Sequence, residues 1–429
     1  MKKYLTLIAG ALMIAACSND DATMNEATNL KGAIAFSAAT ENLTSVMTRA
    51  GSWEIGDDEA LKDKGFGVFA FYTGKVDYEN MTVTPDFMWN QKVIGTGTAP
   101  NLIWTYNPVK YWPNEEEDKI SFFAYAPYQQ IEPNHPEAVT DMDQCIIGMS
   151  RNVDKGDAWV NYRIAEHPWG IDLTAATLEP KQVDLLYGVK YTAATGTDPE
   201  KFETWINQKH TDFKVGDKMK FTFEHAMACV GDLVTLKLSD GLKALLNNYS
   251  TIKINKLTME YKNFTNKARL VLNPQFSTTG VEPNWKEIIS GELTTDRKLE
   301  TEKYPQTNSA DALSAITFDY GDTSEEPKKL SEEQGLLYIP MQIAGTEDAI
   351  VTITLDYTIT ITATGQEIPG TVSSSFKLKE AASGKAMTTE MAGKKLGIAL
   401  TLTDKLDLLH QVYTLGGTAF EPSYSRLVK

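Results

Sequence analysis

Residues 351–362 read Val351-Thr352-Ile353-Thr354-Leu355-Asp356-Tyr357-Thr358-Ile359-Thr360-Ile361-Thr362, apolar at every odd position and polar at every even one. Successive side chains of a strand point to opposite faces, so a strict period of two describes a strand with one packed face and one wetted face. The pattern recurs in Leu396-Gly397-Ile398-Ala399-Leu400-Thr401-Leu402-Thr403, and more weakly over residues 66–72, 119–126, 218–224 and 230–238. Helical periodicity is scarce: a short helix is expected over 240–249 and a turn over 60–64. Half-buried strands with few helices predict an all-β chain built from antiparallel sandwiches.

The chain opens on Lys2 and Lys3, an apolar run of 13 residues over 4–16, and Ala15-Ala16-Cys17 followed by Ser18-Asn19-Asp20-Asp21. The run is too short for a helix to cross a bilayer of about 30 Å, and the small residues before Cys17 are those of a cleaved secretory segment. Residues 1–17 are therefore expected to be a lipoprotein signal, with the mature chain lipidated at Cys17. The acidic pair Asp20-Asp21 resembles the surface-export signal of outer-membrane lipoproteins, which places the protein on the outer face of the outer membrane.

Without the leader about 410 residues remain, more than one hydrophobic core usually serves, so two domains are expected. The polar, turn-rich stretch 192–217, including Thr195-Gly196-Thr197-Asp198-Pro199, puts the boundary close to Val215. Residues 273–334, rich in Glu, Thr, Ser and Pro, read as short strands with an exposed insertion. The formal charge is −16, and residues 1–49 contribute none of it, so the folded part is strongly acidic. Such a surface repels phosphate backbones and anionic lipid head groups, which argues against nucleic acid as a partner and leaves the lipid on Cys17 as the membrane contact.

Chemical signatures are sparse. The sequence holds no phosphate-binding glycine loop, no nucleophile elbow and no His-Glu-x-x-His zinc helix, and no cofactor is implied. His225 and Cys229 have the spacing of two ligands on one helical face, but Phe221-Thr222-Phe223-Glu224-His225 reads as a strand, so no metal site is assigned. The runs Asp57-Asp58-Glu59 and Glu115-Glu116-Glu117-Asp118 lack the alternating spacing of a calcium loop. Cys145 and Cys229 allow one disulfide at most, and sequence leaves their pairing open. Trp104-Thr105-Tyr106-Asn107-Pro108-Val109-Lys110-Tyr111-Trp112-Pro113 packs four large rings into ten residues, fit either for a core or for stacking on sugars.

At these residues the chain resembles the fimbrillin family, subunits of fimbriae assembled from outer-membrane lipoproteins. The resemblance rests on the junction at Cys17; on Thr48-Arg49-Ala50 before Trp53 and the strand Gly65-Phe66-Gly67-Val68-Phe69-Ala70-Phe71; on the ring-rich segment 104–113 with 119–127; on Val183-Asp184-Leu185-Leu186-Tyr187-Gly188; and on Phe221-Thr222-Phe223-Glu224-His225-Ala226. It implies two transthyretin-like antiparallel β-sandwich domains and assembly by strand exchange with other fimbrial subunits. It also implies proteolytic cutting between Arg49 and Ala50, which makes 18–49 a propeptide ahead of domains 50–214 and 215–429, and adhesion to a host or bacterial surface ligand. The strand lost on cutting would be Gly32-Ala33-Ile34-Ala35-Phe36-Ser37-Ala38, with Ile34 and Phe36 pointing inward. Residues 408–429 carry Gly416-Gly417 and Pro422, which weaken their reading as a donor strand. The competing readings are an anchored surface glycan-binding lipoprotein that uses exposed tryptophans, and a secreted hydrolase with carboxylates from separate strands.

Overall fold

The computed structural model describes residues 32–40 and 58–415, apart from 81, 99–100, 132–140, 173–176, 247–249, 278–279, 289–290, 301–315, 320–325 and 333. The leader, Cys17, Arg49, Ala50 and Trp53 lie outside the described residues. Among those described the chain forms 25 strands and two short α-helices, α1 (Asp58–Lys64) and α2 (Asp240–Leu245). The fold is all-β, with antiparallel pairing dominant. Each strong alternation is a strand, and the helices fall at the two places where the pattern lapses.

The largest sheet has nine strands. Its path runs β1 (Phe36–Thr40), β13 (Met219–His225), β10 (Leu186–Thr192), β5 (Lys119–Ala126), β2 (Phe66–Gly74), β3 (Met88–Thr96) and β4 (Ile103–Thr105), with β11 (Lys201–Glu203) on β10 and β12 (Trp205–Lys209) on β5. Its central strands are buried on both faces. Phe66, Val68, Ala70, Ile120, Phe122 and Ala124 face one core, and Phe69, Phe71, Phe123 and Tyr125 face another. On the first side the sheet curls until β1 and β4 meet, with Leu61 of α1 completing the core. On the second side it packs against a four-stranded sheet ordered β17 (Gly280–Glu287), β16 (Lys267–Ser277), β7 (Trp159–Arg163) and β6 (Ile146–Met149). Strands buried on both faces lose the polar half of their alternation, which is why 66–72 and 119–126 show it only weakly.

The rest of the chain packs two five-stranded sheets on a third core. One runs β20 (Lys328–Glu332), β14 (Ala228–Leu238), β24 (Lys395–Leu402) and β25 (Leu408–Thr414), with β21 (Leu336–Tyr338) on β14. The other runs β18 (Thr294–Glu300), β15 (Ser250–Thr265), β22 (Ile350–Ile361) and β23 (Gln366–Lys377), with β19 (Thr317–Phe318) on β15. A hairpin of β8 (Trp169–Asp172) and β9 (Thr177–Pro180) stands apart. On β22, Val351, Ile353, Leu355 and Tyr357 enter the core. Its opposite face meets β23 through hydroxyl pairs, Thr352 with Ser375 and Thr354 with Ser373, each 2.8 Å apart.

Strand pairing is continuous across the expected boundary at 214/215. That point falls between β12 and β13, both in the largest sheet, and β7 of the first half pairs with β16 of the second.

Three tyrosines lie over glycines directly opposite them: Tyr125 over Gly67, Tyr357 over Gly370 and Tyr413 over Gly397. The missing Cβ lets the ring lie flat on the neighbouring strand. The first contact is the most elaborate: the Tyr125 hydroxyl donates to Asn90 Oδ1 at 2.7 Å and accepts from the Gln129 N–H at 3.2 Å. A Cβ at Gly67 would fall inside the Tyr125 ring and 2.6 Å from Asn90 Oδ1. Substituting Gly67 by Val should therefore destabilise the protein by about 1–3 kcal/mol, as overpacking does, read as a lowered urea midpoint; an unchanged midpoint would mean that the ring is free to leave.

The outer edges of β23 and β25 meet at His410, whose Nδ1 is 2.7 Å from Ser374 Oγ and whose ring stacks on Phe376 at 5.1 Å. Burial holds its pKa below the ordinary 6.5. Below that pH the unfolded chain binds a proton that the folded one resists, so stability present at neutral pH is lost on acidification. Between about pH 7.5 and 5.5 the wild type should lose more stability than His410→Gln, measured by urea unfolding at each pH.

Candidate functional site

The segment 32–40 changes partner half-way along. Gly32, at φ +85°, turns the chain in the left-handed region open to glycine. The Trp112 N–H donates to Gly32 O at 2.8 Å, the Ile34 N–H donates to Lys110 O at 2.9 Å, and Ala33 bridges Tyr111 in the antiparallel sense. From Ala35 onward the partner is β13: the Met219 N–H donates to Ala35 O at 2.9 Å, and Phe36–Thr40 runs parallel to Met219–Phe223. The strand is thus an edge strand held by two sequence-distant pieces of backbone.

Its inward side chains are Ile34 and Phe36, 2% and 1% exposed. Phe36 sits among Tyr106, Phe122 and Phe221, at ring-centroid distances of 5.3, 6.0 and 6.0 Å. Behind them Trp112 meets Phe122 at 5.9 Å and stacks on Phe213 at 5.0 Å. Tyr106 also grips the strand's backbone, its hydroxyl donating to Ile34 O at 2.8 Å. Burial pushes that phenol up to about 12, so it remains a donor at any physiological pH. Sequence pointed to Ile34 and Phe36 but not to the rings around them, which come from three separate segments.

The aromatic-rich segment is core. Trp104, Tyr106 and Trp112 are buried, and Tyr111 alone among its four large rings is exposed. Trp169, Trp205 and Trp285 are buried as well. Trp89 and Trp159 are half-buried: the Trp89 indole N–H donates to Ser150 O at 2.6 Å, and the Arg269 guanidinium covers the Trp159 ring at 3.6 Å. The described tryptophans present no open platform of two coplanar rings.

Other sequence candidates resolve into structural contacts. His225 and Cys229 lie on β13 and β14, not on a helix. His225 Nδ1 is 2.7 Å from Asp184 Oδ2, Cys229 is in the core, and no cluster of metal-ligating side chains occurs among the described residues. Cys145 and Cys229 are both buried and form no disulfide, and burial raises the Cys145 thiol to about 11. In the acidic run, Asp118 accepts from the Tyr72 hydroxyl at 2.6 Å, while Glu117 pairs with Lys209 at 2.6 Å and Glu115 with Lys75 at 3.6 Å. Residues 408–414, weighed above as part of a donor strand, are β25, paired antiparallel to β24 in the chain's own sheet.

No protein-family model matches the chain. Over 151 residues it is 32% identical to fimbrium subunit Fim1C of Phocaeicola vulgatus, a match spanning 34% of this chain and 35% of that relative, about a third of its length. A crystal structure of a fimbrial protein from Bacteroides vulgatus superposes with a TM-score of 0.58 over 89% of this chain and 98% of that one, at 18% identity, which shows a shared fold. The chain shares the fold of that fimbrial protein. Within the described residues the first strand is held at a sheet edge by an aromatic cage.

Because Phe36 is fully enclosed, Phe36→Ala should cost about 3–5 kcal/mol, the range for truncating a buried Phe, whereas Ser37→Ala on the outer side should be near neutral. Denaturant unfolding of a chain that includes residues 32–40 reads the difference. Equal effects of the two substitutions would mean that β1 is not seated in its groove.

Proposed function

We propose that the protein is a fimbrial subunit serving adhesion, exported to the outer-membrane surface as a lipoprotein through Cys17. On this reading a surface protease cuts between Arg49 and Ala50, β1 leaves with the lipid, and a strand of a neighbouring subunit takes its place. The subunit acts as a two-domain, transthyretin-like building block of a filament, with other fimbrial subunits as partners and no active site. Likeness to the two fimbrial proteins supports this reading.

The observation that carries the proposal is the way β1 is held. It joins the fold at a sheet edge, on β13 and the 110–112 backbone, and through the inward Ile34, Phe36 and Ala38. Residues 41–57, with Arg49 among them, separate it from α1. An edge strand can be exchanged without cutting through a sheet. Its loss would uncover β13, the 110–112 backbone and the rings around Phe36. Burying one Ile or Phe contributes roughly 1.5–3 kcal/mol, so an emptied groove favours refilling by several kcal/mol. A strand supplied by the next subunit makes a head-to-tail contact that repeats and does not close, which yields a filament. The alternative of a glycan-binding lipoprotein that stacks sugars on tryptophan loses its support with the described rings buried or covered.

Two samples test the reading. Sheared high-molecular-weight surface material should begin at Ala50 by N-terminal and intact-mass analysis, and Arg49→Ala should leave lipidated monomers starting at Cys17. Filaments that assemble normally from the Arg49→Ala protein would remove cutting at this bond from the mechanism.

A further inference from the structure

The outer face of the four-stranded sheet β17-β16-β7-β6 carries a charge opposite to that of the protein. Val160, Tyr162, Ala268, Leu270 and Trp285 turn inward to the core, so strand alternation turns Asn161, Arg163, Lys267, Arg269 and Lys286 outward. In register, Arg163 lies directly opposite Lys267, and Arg269 directly opposite Lys286. Like charges directly opposite one another destabilise a sheet, and here two such pairs adjoin in a chain of net charge −16. Packing does not require four cations at these positions.

Their neighbours differ. At the margins Arg151 pairs with Asp154 at 2.8 Å, and Arg297, bound to the carbonyls of Ile164 and Ala165, approaches Glu166 at 3.8 Å. In the middle, Arg163, Lys267 and Lys286 form no ion pair among the described residues. The Arg163 guanidinium donates to the carbonyls of Asp141 and Gln144, and Arg269 is held over Trp159 while its Nε donates to Asn161 Oδ1 at 3.1 Å. The two arginines are thus fixed in place; Arg269 also lies in the field of Asp154, while the guanidinium of Arg163 meets neutral carbonyls.

We propose that this face binds a linear acidic polysaccharide, through ionic contacts and not through ring stacking. Strand geometry sets the cations about 5 Å apart across neighbouring strands and about 7 Å apart along one, a flat array that a polymer with repeating carboxylate or sulfate groups can meet at several points. A protein partner fits less well: stable protein interfaces centre on apolar or aromatic anchors in a desolvated patch, whereas here Asn161 is buried and the Trp159 ring beside it is covered by the Arg269 guanidinium, which leaves charged groups outermost.

The test uses the purified full chain with heparin and with polygalacturonate as probes, at about 50 and 150 mM salt, since screening weakens exposed ionic contacts. Wild type should bind at the lower salt and release as salt rises. The double variant Lys267→Gln, Lys286→Gln should bind about tenfold more weakly, as expected for losing two surface ionic contacts, with an unfolding midpoint no lower than wild type. Lys64→Gln with Lys405→Gln, an equal change of charge outside this face, should bind like wild type. No binding to either polymer at low salt, or equal loss in both double variants, would overturn the proposal. So would salt-sensitive self-association in sedimentation that the Lys267/Lys286 variant abolishes without polysaccharide binding, which would assign the face to contact between copies of the chain.

Discussion

The stretch from Met219 to Leu238 bears on both halves of the molecule. Its first part, β13, closes the largest sheet and receives β1 in parallel; its second part, β14, is a central strand of the next sheet and receives β24 in parallel. The remaining pairings between named strands are antiparallel. A parallel pair cannot be joined by a tight turn and must recruit a partner from far along the sequence. These two contacts therefore lock distant parts of the chain together, and they differ in what holds the partner. β24 lies inside its sheet with β25 beyond it, whereas β1 lies at an edge with its first residues turned onto the 110–112 backbone. Of the two parallel partners, only β1 can leave without breaking the pairing of any other strand in its sheet.

Much of the fold was legible because period-two patterning is a direct statement about which face is packed. β22 and β24 follow from it almost residue by residue. β2 and β5 were fainter for a physical reason: cores lie on both of their faces, so the polar half of the pattern is gone. Turn-rich composition around residues 192–217 coincides with the short strands β11 and β12, and strand pairing runs through the stretch, by β13 on one side and the β7–β16 pair on the other. Composition reports local backbone preference, and pairing partners are set by contacts that no local window contains.

The candidate site divides in the same way. Ile34 and Phe36 stand out because a short alternating segment carries its own evidence of an inward face. Tyr106, Trp112, Phe122 and Phe221 do not stand out as a group, since they come from three separate segments and only curling of the largest sheet makes them neighbours. The tryptophans were ambiguous in sequence because a large ring serves a core and a sugar platform equally well; the fold decides by covering the described ones. The cationic face was overlooked for the opposite reason. Its four residues lie in three separate stretches of an acidic chain, and a net charge of −16 conceals any local excess of the other sign.

Buried polar pairs, one of them ionic, sit where the halves join. Asp232 and Lys395 meet at 3.3 Å, both under 10% exposed, next to the bulge at which β14 shifts register against β24. His225 and Asp184 meet at 2.7 Å where β13 ends, beside the loop in which the Gly393 N–H donates to Met227 O at 2.8 Å. Desolvation takes back most of what such pairs gain from attraction, while stranding one partner leaves a buried charge without compensation. Their effect on total stability is therefore small beside their effect on alternatives. A slip of one residue at the β14–β24 bulge would pull Lys395 from Asp232, and a shift of the 391–394 loop would open His225 to water. The hydrophobic cores supply the stability of this molecule, and these pairs restrict the arrangement in which its halves can share it.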